Sequence, residues 1–325
     1  MGEIKRISIK KLREKSTGTI IEDLRAGKYS LLDSLDCHDV KREMEKVGKQ
    51  CRSALKLAEK KAGFYKGDYR HQLRQSVIDV LNWCVPSNTI HAFPHIDQGL
   101  IIGYNHSTLG EIFRLISICL REYPERKILF PIDIILYEEL VGLAPRMEVF
   151  GLYIAPVISQ KTRDTLADLT NYEYIIIVDS LMKGFDQSFL IQSGIFVHER
   201  NVVVVAPSTS RQKTVFTSAA ASHGFEKIEA QTMTSLAISL SRTGQLKNCC
   251  FVPVAVIPPH GASRGLNLFK IYDVVASDWI PPSIVKDRCK ERSTITGDRK
   301  FEHYFLNLIA DELRDTKNGS RLVSP

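Results

Sequence analysis

The spacing of apolar positions predicts two amphipathic helices in the first part of the chain. Over residues 39–62, apolar side chains recur every three or four positions with Lys, Arg and Glu between them. This is the pattern of a helix with one buried and one solvated face. A second helix is predicted over residues 69–84, and it ends before Pro86 because proline cannot continue a helix. Residues 1–95 are therefore predicted to form a helical N-terminal segment.

The pattern changes after residue 95 to short runs rich in Val and Ile. Such runs are typical of strands that are buried on both faces. They lie at residues 100–104, 128–130, 153–158, 174–178, 201–206 and 251–257. Helical patterns separate or follow them at residues 109–121, 160–170, 187–196, 230–243 and 299–315. Strands that alternate with helices predict, for residues 96–325, an α/β domain with a mixed, largely parallel sheet flanked by helices.

Composition excludes several classes of protein. Apolar residues make up 44% and charged residues 25% of the 325 positions, so the chain has enough apolar surface to bury a core and is not mainly disordered. No stretch approaches the ~18 apolar residues of a membrane-spanning helix, and no apolar core follows the basic N-terminus as in a secretory signal. The seven cysteines form no CxxC pair, which indicates free thiols in a cytoplasmic protein and neither a disulfide framework nor a metal site.

The positive charge of the chain is concentrated near its start. The formal net charge is +7, and residues 1–100 hold 19 Lys+Arg against 13 Asp+Glu, a net +6, which leaves +1 for the remainder. Six basic residues lie within residues 5–15, and such a segment attracts anionic lipid or nucleic acid. A solvated terminus is an equally good interpretation. No basic motif interleaved with aromatic residues supports nucleic-acid binding, and no GxGxxG or GxxxxGK[ST] motif supports a nucleotide site.

The most informative candidate site lies in residues 100–115. A predicted strand runs into Asn105 and His106, and a predicted helix follows, which is where open α/β sheets bind ligands. Glu111 follows five residues after His106, and its carboxylate can orient the imidazole so that His106 acts as a general base. Two alternatives stay open. Thr108 and Glu111 match a helix capping box, and His106 is equally consistent with an ordinary buried polar residue.

A second candidate site follows the Val-rich strand of residues 201–206. Small hydroxyl groups and two cations come directly after Pro207, namely Ser208, Thr209, Ser210, Arg211 and Lys213. Arginine and lysine bind phosphate through charge-assisted hydrogen bonds, so this segment suits a phosphorylated ligand. A polar surface turn explains the same composition equally well. Two further segments, residues 151–162 and 251–265, each predict by themselves only a buried strand that leads into a loop.

Taken in order, these four segments resemble the motif blocks of the glycerolipid acyltransferases, the lysophosphatidic acid acyltransferase-like superfamily. The resemblance covers roughly residues 98–315. The blocks NHxxxxD, GxxFI, FPEGTRS and VPV correspond here to Asn105-His106 with Glu111, to Gly151-Leu-Tyr-Ile154, to Pro207-Ser208-Thr209-Ser210-Arg211, and to Val252-Pro253-Val254. The chain departs from the family pattern where Glu111 replaces Asp and where Ser208 and Thr209 replace Glu and Gly.

The resemblance implies an acyltransferase that uses no metal and no bound cofactor. His106 would take the proton from an acceptor hydroxyl as it attacks an acyl thioester, either acyl-CoA or an acyl-carrier protein, while Glu111 orients the imidazole. The acceptor would be a glycerophosphate or a lysophospholipid. The residues implied to bind substrate are Asn105, Lys161, Ser208, Thr209, Arg211 and Lys213. Such a protein is expected in the cytoplasm, as a peripheral protein at the inner membrane face, with its basic N-terminal segment on anionic lipid.

Two rival functions stay open. Residues 261–265 match the GxSxG nucleophile motif, so a serine hydrolase would use Ser263 with His303 and either Asp278 or Asp287. Against it, two prolines interrupt the sharp turn that this motif requires, and only about 60 residues remain for the later strands. The other rival is a non-enzymatic membrane-surface binding protein with a degenerate acyltransferase fold.

One histidine pair has spacing similar to that of metal ligands. His91 and His95 lie four residues apart, with Asp97 nearby. Pro94 lies inside the pair and prevents a regular helix, so the two imidazoles cannot share a helical face. A loop is therefore the expected structure, and no metal site is predicted.

Overall fold

The computed structural model confirms the α/β fold predicted from the sequence. It describes residues 7–34, 38–64, 67–105, 110–159, 162–165, 172–207, 232–259, 267–292 and 300–317. The sheet is mixed and mostly parallel, with seven strands in the order β1-β7-β6-β2-β5-β3-β4. The strands are β1 (Ser87–Thr89), β2 (Gly99–Tyr104), β3 (Ile128–Asp133), β4 (Leu152–Val157), β5 (Val202–Val205), β6 (Cys249–Ile257) and β7 (Tyr272–Ala276).

Helices precede the sheet and connect its strands. Within the described residues, those before β1 are α1 (Ile9–Arg13), α2 (Thr17–Arg25), α3 (Leu31–Ser34), α4 (His38–Ala62) and α5 (Tyr69–Cys84). The later ones are α6 (Gly110–Glu122), α7 (Ile134–Leu140), α8 (Ala144–Val149), α9 (Tyr172–His198), α10 (Thr232–Arg242), α11 (Pro282–Lys290) and α12 (Lys300–Lys317). The two N-terminal helices predicted from apolar spacing are confirmed as α4 and α5. No helix among the described residues is long and apolar enough to cross a membrane.

One predicted strand is wrong. Residues 174–178 lie inside helix α9, although the sequence Tyr-Ile-Ile-Ile-Val favours a strand locally. Over a longer window the buried side chains have helical spacing, from Val178 to Leu181, Phe185 and Phe189. The packing of these side chains along the helix therefore overrides the local β-propensity. Strands β1 and β7 were not predicted, because β1 consists of three polar residues and Asp273 interrupts the short apolar run of β7.

By its contacts the chain divides into two compact units, each made of two stretches of sequence. Unit 1 comprises residues 1–77 and 129–192, and unit 2 comprises residues 78–128 and 193–325. The boundary at residue 95 predicted from the sequence stays a prediction. It marks the point where the predicted helices give way to the predicted strands, which is a different criterion from compactness, and the observed strand β1 lies before it.

Charged side chains of unit 1 fasten its N-terminal helices to the segment of α7 and α8. Arg25 pairs with Glu148 at 2.6 Å, and Arg146 pairs with Glu59. The Glu138 carboxylate accepts the backbone N–H of Leu31 at 2.5 Å and so caps helix α3. These contacts join residues that are about 90–120 positions apart, so the N-terminal helices are an integral part of unit 1.

In unit 2, helices α10 and α12 pack on the middle of the sheet. Strand β2 is buried throughout, and β5 and β6 both pair with it in parallel. Gly103 of β2 has no room for a side chain, because a Cβ atom there would lie 2.4 Å from the Phe305 ring of α12 and 3.0 Å from Met233 of α10. The two helices therefore approach the backbone of β2 closely, one residue before the strand ends.

Candidate functional site

Asn105 ends strand β2 by binding the backbone of the neighbouring strand with its side chain. Its Nδ2 atom donates to the Val256 carbonyl at 2.7 Å, and its Oδ1 atom accepts the Val256 N–H at 2.6 Å. The amide is almost completely buried, so both hydrogen bonds are shielded from water. Asn105 thereby continues the ladder between β2 and β6 for one more residue and fixes the direction of the chain where it enters His106.

Helix α6 begins at Gly110 and carries Glu111 in its first turn. The Glu111 side chain is completely buried, which is rare for a carboxylate and requires polar or charged neighbours. A carboxylate in the first turn also interacts favourably with the positive end of the helix dipole. The capping box predicted for Glu111 involves Thr108, which lies outside the described residues.

Arg114 is the most highly connected side chain of this region. It is completely buried in α6, one turn after Glu111, and its guanidinium donates four hydrogen bonds to backbone carbonyls. Nε donates to Pro86 at 3.2 Å, Nη1 to Gly110 at 2.8 Å, and Nη2 to Asn267 at 3.1 Å and to Lys270 at 2.7 Å. Arg114 therefore joins the start of α6 to the segment before β1 and to the segment before β7.

The charge of Arg114 is stabilised from two sides. Burial lowers the pKa of the guanidinium, while the nearby Tyr272 and Glu111 oppose that change. The Tyr272 ring lies face-on to the guanidinium, with 3.6 Å between its centroid and the Arg114 Cζ atom, which is a cation–π contact. A guanidinium starts from a pKa so high that Arg114 stays charged. The buried Glu111 thus has a cation on its own helix.

A second buried carboxylate caps the helix beside Gly103. Glu302 of α12 accepts the backbone N–H of Thr234 at 2.8 Å, in the first turn of α10. Both residues are buried. Because the N-terminus of a helix carries a partial positive charge, this carboxylate fixes α10 against α12.

Most of the residues predicted to contact substrate lie outside the described residues. They are His106, Lys161, Ser208, Thr209, Arg211 and Lys213. The described strands nevertheless define where two of these segments leave the sheet. Strands β2 and β5 are parallel and in register, with Gly103 beside Val205. The chain therefore leaves both strands at the same edge of the sheet, the carboxyl edge of the parallel strands, where open α/β sheets bind ligands.

The segment around Lys161 belongs to unit 1, and its described residues are tied to the end of β3. Asp133 accepts the Ser159 N–H at 3.2 Å and the Thr162 hydroxyl at 2.8 Å. The next residue, Arg163, binds the Asp179 carboxylate with two hydrogen bonds of 2.8 and 3.2 Å. Arg163 is thus engaged in an ion pair, which lowers the pKa of Asp179.

The basic N-terminal segment is described from residue 7. One of its six cations, Lys15, pairs with the buried carboxylate of Asp23, and Leu12 is buried in the core. Lys5 and Arg6 lie outside the described residues. The segment is therefore attached to unit 1 through helix α1. Its cations Lys10, Lys11 and Arg13 are exposed.

No model of a known protein family matches this chain, and no curated protein sequence is significantly similar to it.

The rival serine site is described only in part. Ser263 lies outside the described residues, and His303 is half-buried on α12. Asp278 is exposed, and Asp287 is exposed and accepts a hydrogen bond from Lys290 at 3.4 Å.

The histidine pair with metal-like spacing lies in an irregular segment. His95 is exposed and lies 3.9 Å from Glu122, and Asp97 pairs with Arg200 at 2.6 Å. Among the described residues, no group of three His, Cys, Asp or Glu side chains is arranged to hold a metal ion.

Two buried residues of this region were missed by sequence reasoning, Arg114 and Glu302. Arg114 had a readable signal, because it lies three residues after Glu111 on the face of the predicted helix that also carries Leu115 and Ile118. A charged pair on an apolar face indicates a buried network. Glu302 had no comparable signal, because its partner Thr234 is 68 residues away.

Proposed function

We propose that this chain is an O-acyltransferase that moves an acyl group from a thioester donor to a hydroxyl of a glycerophosphate or lysophospholipid. The hydroxyl oxygen attacks the thioester carbonyl and the carbon–sulfur bond breaks. His106 takes the hydroxyl proton as general base and passes it to the departing thiolate, which leaves as a free thiol. Glu111 orients the imidazole and stabilises its protonated form. No metal or bound cofactor takes part in this mechanism.

The observation that carries the proposal is the arrangement around Asn105. Its side chain is committed to the backbone of β6, so the next residue, His106, starts from a fixed point at the carboxyl edge of the parallel strands. The helix that follows carries the buried Glu111 in its first turn. A histidine between a fixed strand end and a buried carboxylate fits a general base that a second group orients.

Binding of the phosphorylated acceptor is assigned to the segment after β5. Strand β5 lies beside β2 and is parallel to it, so Ser208, Thr209, Arg211 and Lys213 follow a strand that ends at the same edge. A cationic segment there would hold the acceptor phosphate and so place the hydroxyl. Lys161 follows β4, and its proposed role in substrate binding rests only on the order of the four motif blocks along the sequence. The donor is acyl-CoA or an acyl-carrier protein, which enters as a co-substrate.

The amphiphilic acceptor implies the location of the protein. A lysophospholipid resides in a bilayer, and so we propose a peripheral protein on the cytoplasmic side of the inner membrane. The cations of residues 5–15 would contribute electrostatic attraction to anionic lipid.

An assay of thiol release tests this function. The full chain is incubated with acyl-CoA or acyl-carrier protein and with glycerol 3-phosphate or a lysophospholipid. His106→Ala should lower the rate by a factor of about 10²–10⁴, the usual contribution of a general base. Glu111→Gln should also lower the rate, because the amide has no charge to stabilise the protonated imidazole. The loss should be smaller than for His106→Ala, because the amide keeps the size of the side chain and the general base is still present.

Two matched variants separate this mechanism from a serine hydrolase. Ser263→Ala and His303→Ala should leave acyl transfer unchanged, whereas both would abolish a hydrolase. If thiol release depends on Ser263 and His303 and survives His106→Ala, the acyltransferase proposal is wrong. If the wild-type chain releases no thiol with any of these donors and acceptors, the non-enzymatic binding protein becomes the better hypothesis.

A further inference from the structure

Four large apolar side chains are exposed together beside the candidate site. We call them the edge patch, and they are Trp83 (64% exposed), Leu268 (37%), Phe269 (59%) and Ile271 (55%). The rings of Trp83 and Phe269 contact each other edge to face, with 5.3 Å between their centroids. Single exposed apolar residues are common on proteins, but here two exposed rings touch and two more exposed apolar side chains, Leu268 and Ile271, lie within two residues of Phe269 in the sequence. Such a group indicates a surface that contacts something apolar.

The backbone beneath the edge patch is held in place from inside. Phe269 N–H donates to the Cys84 carbonyl at 2.8 Å, and the buried Arg114 binds the carbonyls of Asn267 and Lys270. Asn267 and Phe269 adopt positive φ angles of 48° and 62°. For residues other than glycine this conformation costs about 1 kcal/mol or more. Asparagine adopts this conformation more readily than other residues, so the strain falls mainly on Phe269, whose exposed ring is held in a defined position by these hydrogen bonds.

The edge patch lies on the same edge of the sheet as Asn105. Strand β7 runs antiparallel to β6, so its first residues lie beside the last residues of β6, with Asp273 opposite Ile257. Asn105 binds Val256 of that same strand end. The start of β7 and Asn105 are therefore two strand spacings apart, about 10 Å. A surface that docks on the edge patch would face the point where the chain enters His106.

We propose that the edge patch docks this protein onto the surface of a lipid bilayer. Tryptophan and phenylalanine insert readily at the boundary between lipid headgroups and acyl chains. Lys270, which is exposed between Phe269 and Ile271, is the only charged residue of residues 80–86 and 267–272. The nearest carboxylates along the chain, Asp79 and Asp273, are partly buried. The patch thus combines apolar anchors with a positive charge, which matches an anionic membrane.

The size of the edge patch favours a bilayer over a protein partner. Each partner of a stable protein complex buries about 800 Å², which is 20–30 residues a side. Four apolar side chains would supply only a small part of such an interface, whereas attachment to a membrane strengthens with the apolar area inserted and with attraction to anionic lipid. The inference deepens the proposed function and rests on it in one respect: an enzyme that acylates a lysophospholipid has to reach a bilayer. Its experiments do not depend on acyl transfer.

Tryptophan fluorescence tests the docking directly, because the chain has only two tryptophans. Trp279→Phe leaves Trp83 in the edge patch as the sole reporter, and Trp83→Phe leaves Trp279, which is 42% exposed and lies elsewhere in unit 2. With vesicles of phosphatidylcholine and phosphatidylglycerol, Trp83 emission should shift to the blue and be quenched by brominated lipid. Trp279 emission should do neither. Absence of a shift for Trp83, or an equal shift for both reporters, overturns the proposal.

Vesicle co-sedimentation measures the strength of the attachment. Trp83→Ala/Phe269→Ala should lower partitioning about tenfold or more, and the loss should persist at high salt because apolar contacts are not screened. Trp279→Ala is the matched control and should change partitioning less than about twofold. The removed side chains are exposed, so thermal unfolding should be unchanged. Equal losses for the double variant and for Trp279→Ala would contradict the assignment of the surface.

Three outcomes separate membrane docking from the proposed function and from self-association. His106→Ala should still bind vesicles as the wild type does, so loss of acyl transfer without loss of binding leaves the docking intact. An inactive wild type whose Trp83 still enters the bilayer would overturn the proposed function alone. If gel filtration shows a dimer that the Trp83→Ala/Phe269→Ala change dissociates, the patch covers a second copy of the chain, and the docking proposal is wrong.

Discussion

Strand β3 ends in a polar residue, Asp133, and strand β2 is followed directly by one, Asn105. Both residues precede a helix, but their side chains form different hydrogen bonds. Asp133 is the last residue of β3 and also caps α7, accepting the Ile135 N–H at 3.2 Å. Helix α7 therefore follows β3 without any intervening residue. Asn105 instead turns its side chain toward β6 and binds Val256. Helix α6 is described from Gly110 onward.

The comparison shows two structural uses of a polar side chain at the end of a strand. At β3 the polar side chain starts the helix and also binds Thr162, so its hydrogen-bonding capacity is used for structure. At β2 the uncharged amide of Asn105 instead binds the backbone of the neighbouring strand. The polar side chain at the strand end therefore stabilises the following helix in unit 1 and the sheet in unit 2.

Of the changes considered, removal of Arg114 should lower the free energy of unfolding most. It breaks hydrogen bonds around helix α6, which follows β2, and leaves the region around β3 intact. Arg114→Ala leaves a cavity and four backbone carbonyls that lose a charged donor. We expect a loss of more than about 3 kcal/mol in the free energy of unfolding, measured by urea denaturation.

The control for Arg114 is another arginine of the same helix. Arg121 is more exposed and binds Glu122 and the Thr89 hydroxyl. Arg121→Ala should cost no more than about 0.5 kcal/mol, as is usual for surface changes. Similar losses in the free energy of unfolding for the two variants would show that the buried hydrogen bonds of Arg114 do not stabilise the start of α6 and the segments bound to it.

Asn105→Leu should have an intermediate effect. The change keeps the size of the side chain but removes the partners of the buried N–H and C=O of Val256, at a cost of about 2 kcal/mol. Hydrogen exchange gives a local readout, because the Val256 amide should exchange faster while amides at the start of β6 are unchanged.

Removal of the polar side chain at the end of β3 tests the other half of the comparison. Asp133 is only half-buried, so water can replace its lost contacts, and Asp133→Ala should cost about 1 kcal/mol, the value of a helix cap. A greater loss for Asp133→Ala than for Asn105→Leu would reverse the proposed division of roles between the two strand ends.

The smallest expected effect concerns pH and the ion pair beyond β4. Arg163 lowers the pKa of Asp179, so their pairing stabilises the folded state above the usual carboxylate pKa of about 3.9 and is lost as the pH falls through the lower folded value. Arg163→Gln should therefore lower Tm slightly at neutral pH, and the difference from the wild type should shrink below about pH 4. With Asp179→Asn already present, the pH dependence of the Arg163→Gln change should become smaller, and the remainder should come from the exposed pair of Arg163 with Asp164 at 3.3 Å.

Local sequence patterns were sufficient for much of this fold. The predicted limits of α5, residues 69–84, coincide with the observed ones because apolar spacing and Pro86 both act locally. The position of Asn105 at a strand end was predictable for the same reason. The helical state of residues 174–178 was not, because it depends on packing along the whole of α9. The partner of Asn105 lies 151 residues away, and no pattern near Asn105 reports a contact of that kind.

The close approach of Phe305 to Gly103 also has a consequence for the order in which the protein is made. Both strands that flank β2 come about 100 residues or more after it, and the ring that covers Gly103 comes about 200 residues later. At a synthesis rate of about 5–20 residues per second, β2 waits roughly 10–40 s for Phe305 to leave the ribosome. Both edges of this apolar strand stay unpaired until β5 has been made, and its face stays uncovered until Phe305 has been made, so a nascent chain stalled before residue 300 should be especially prone to aggregation and dependent on chaperones.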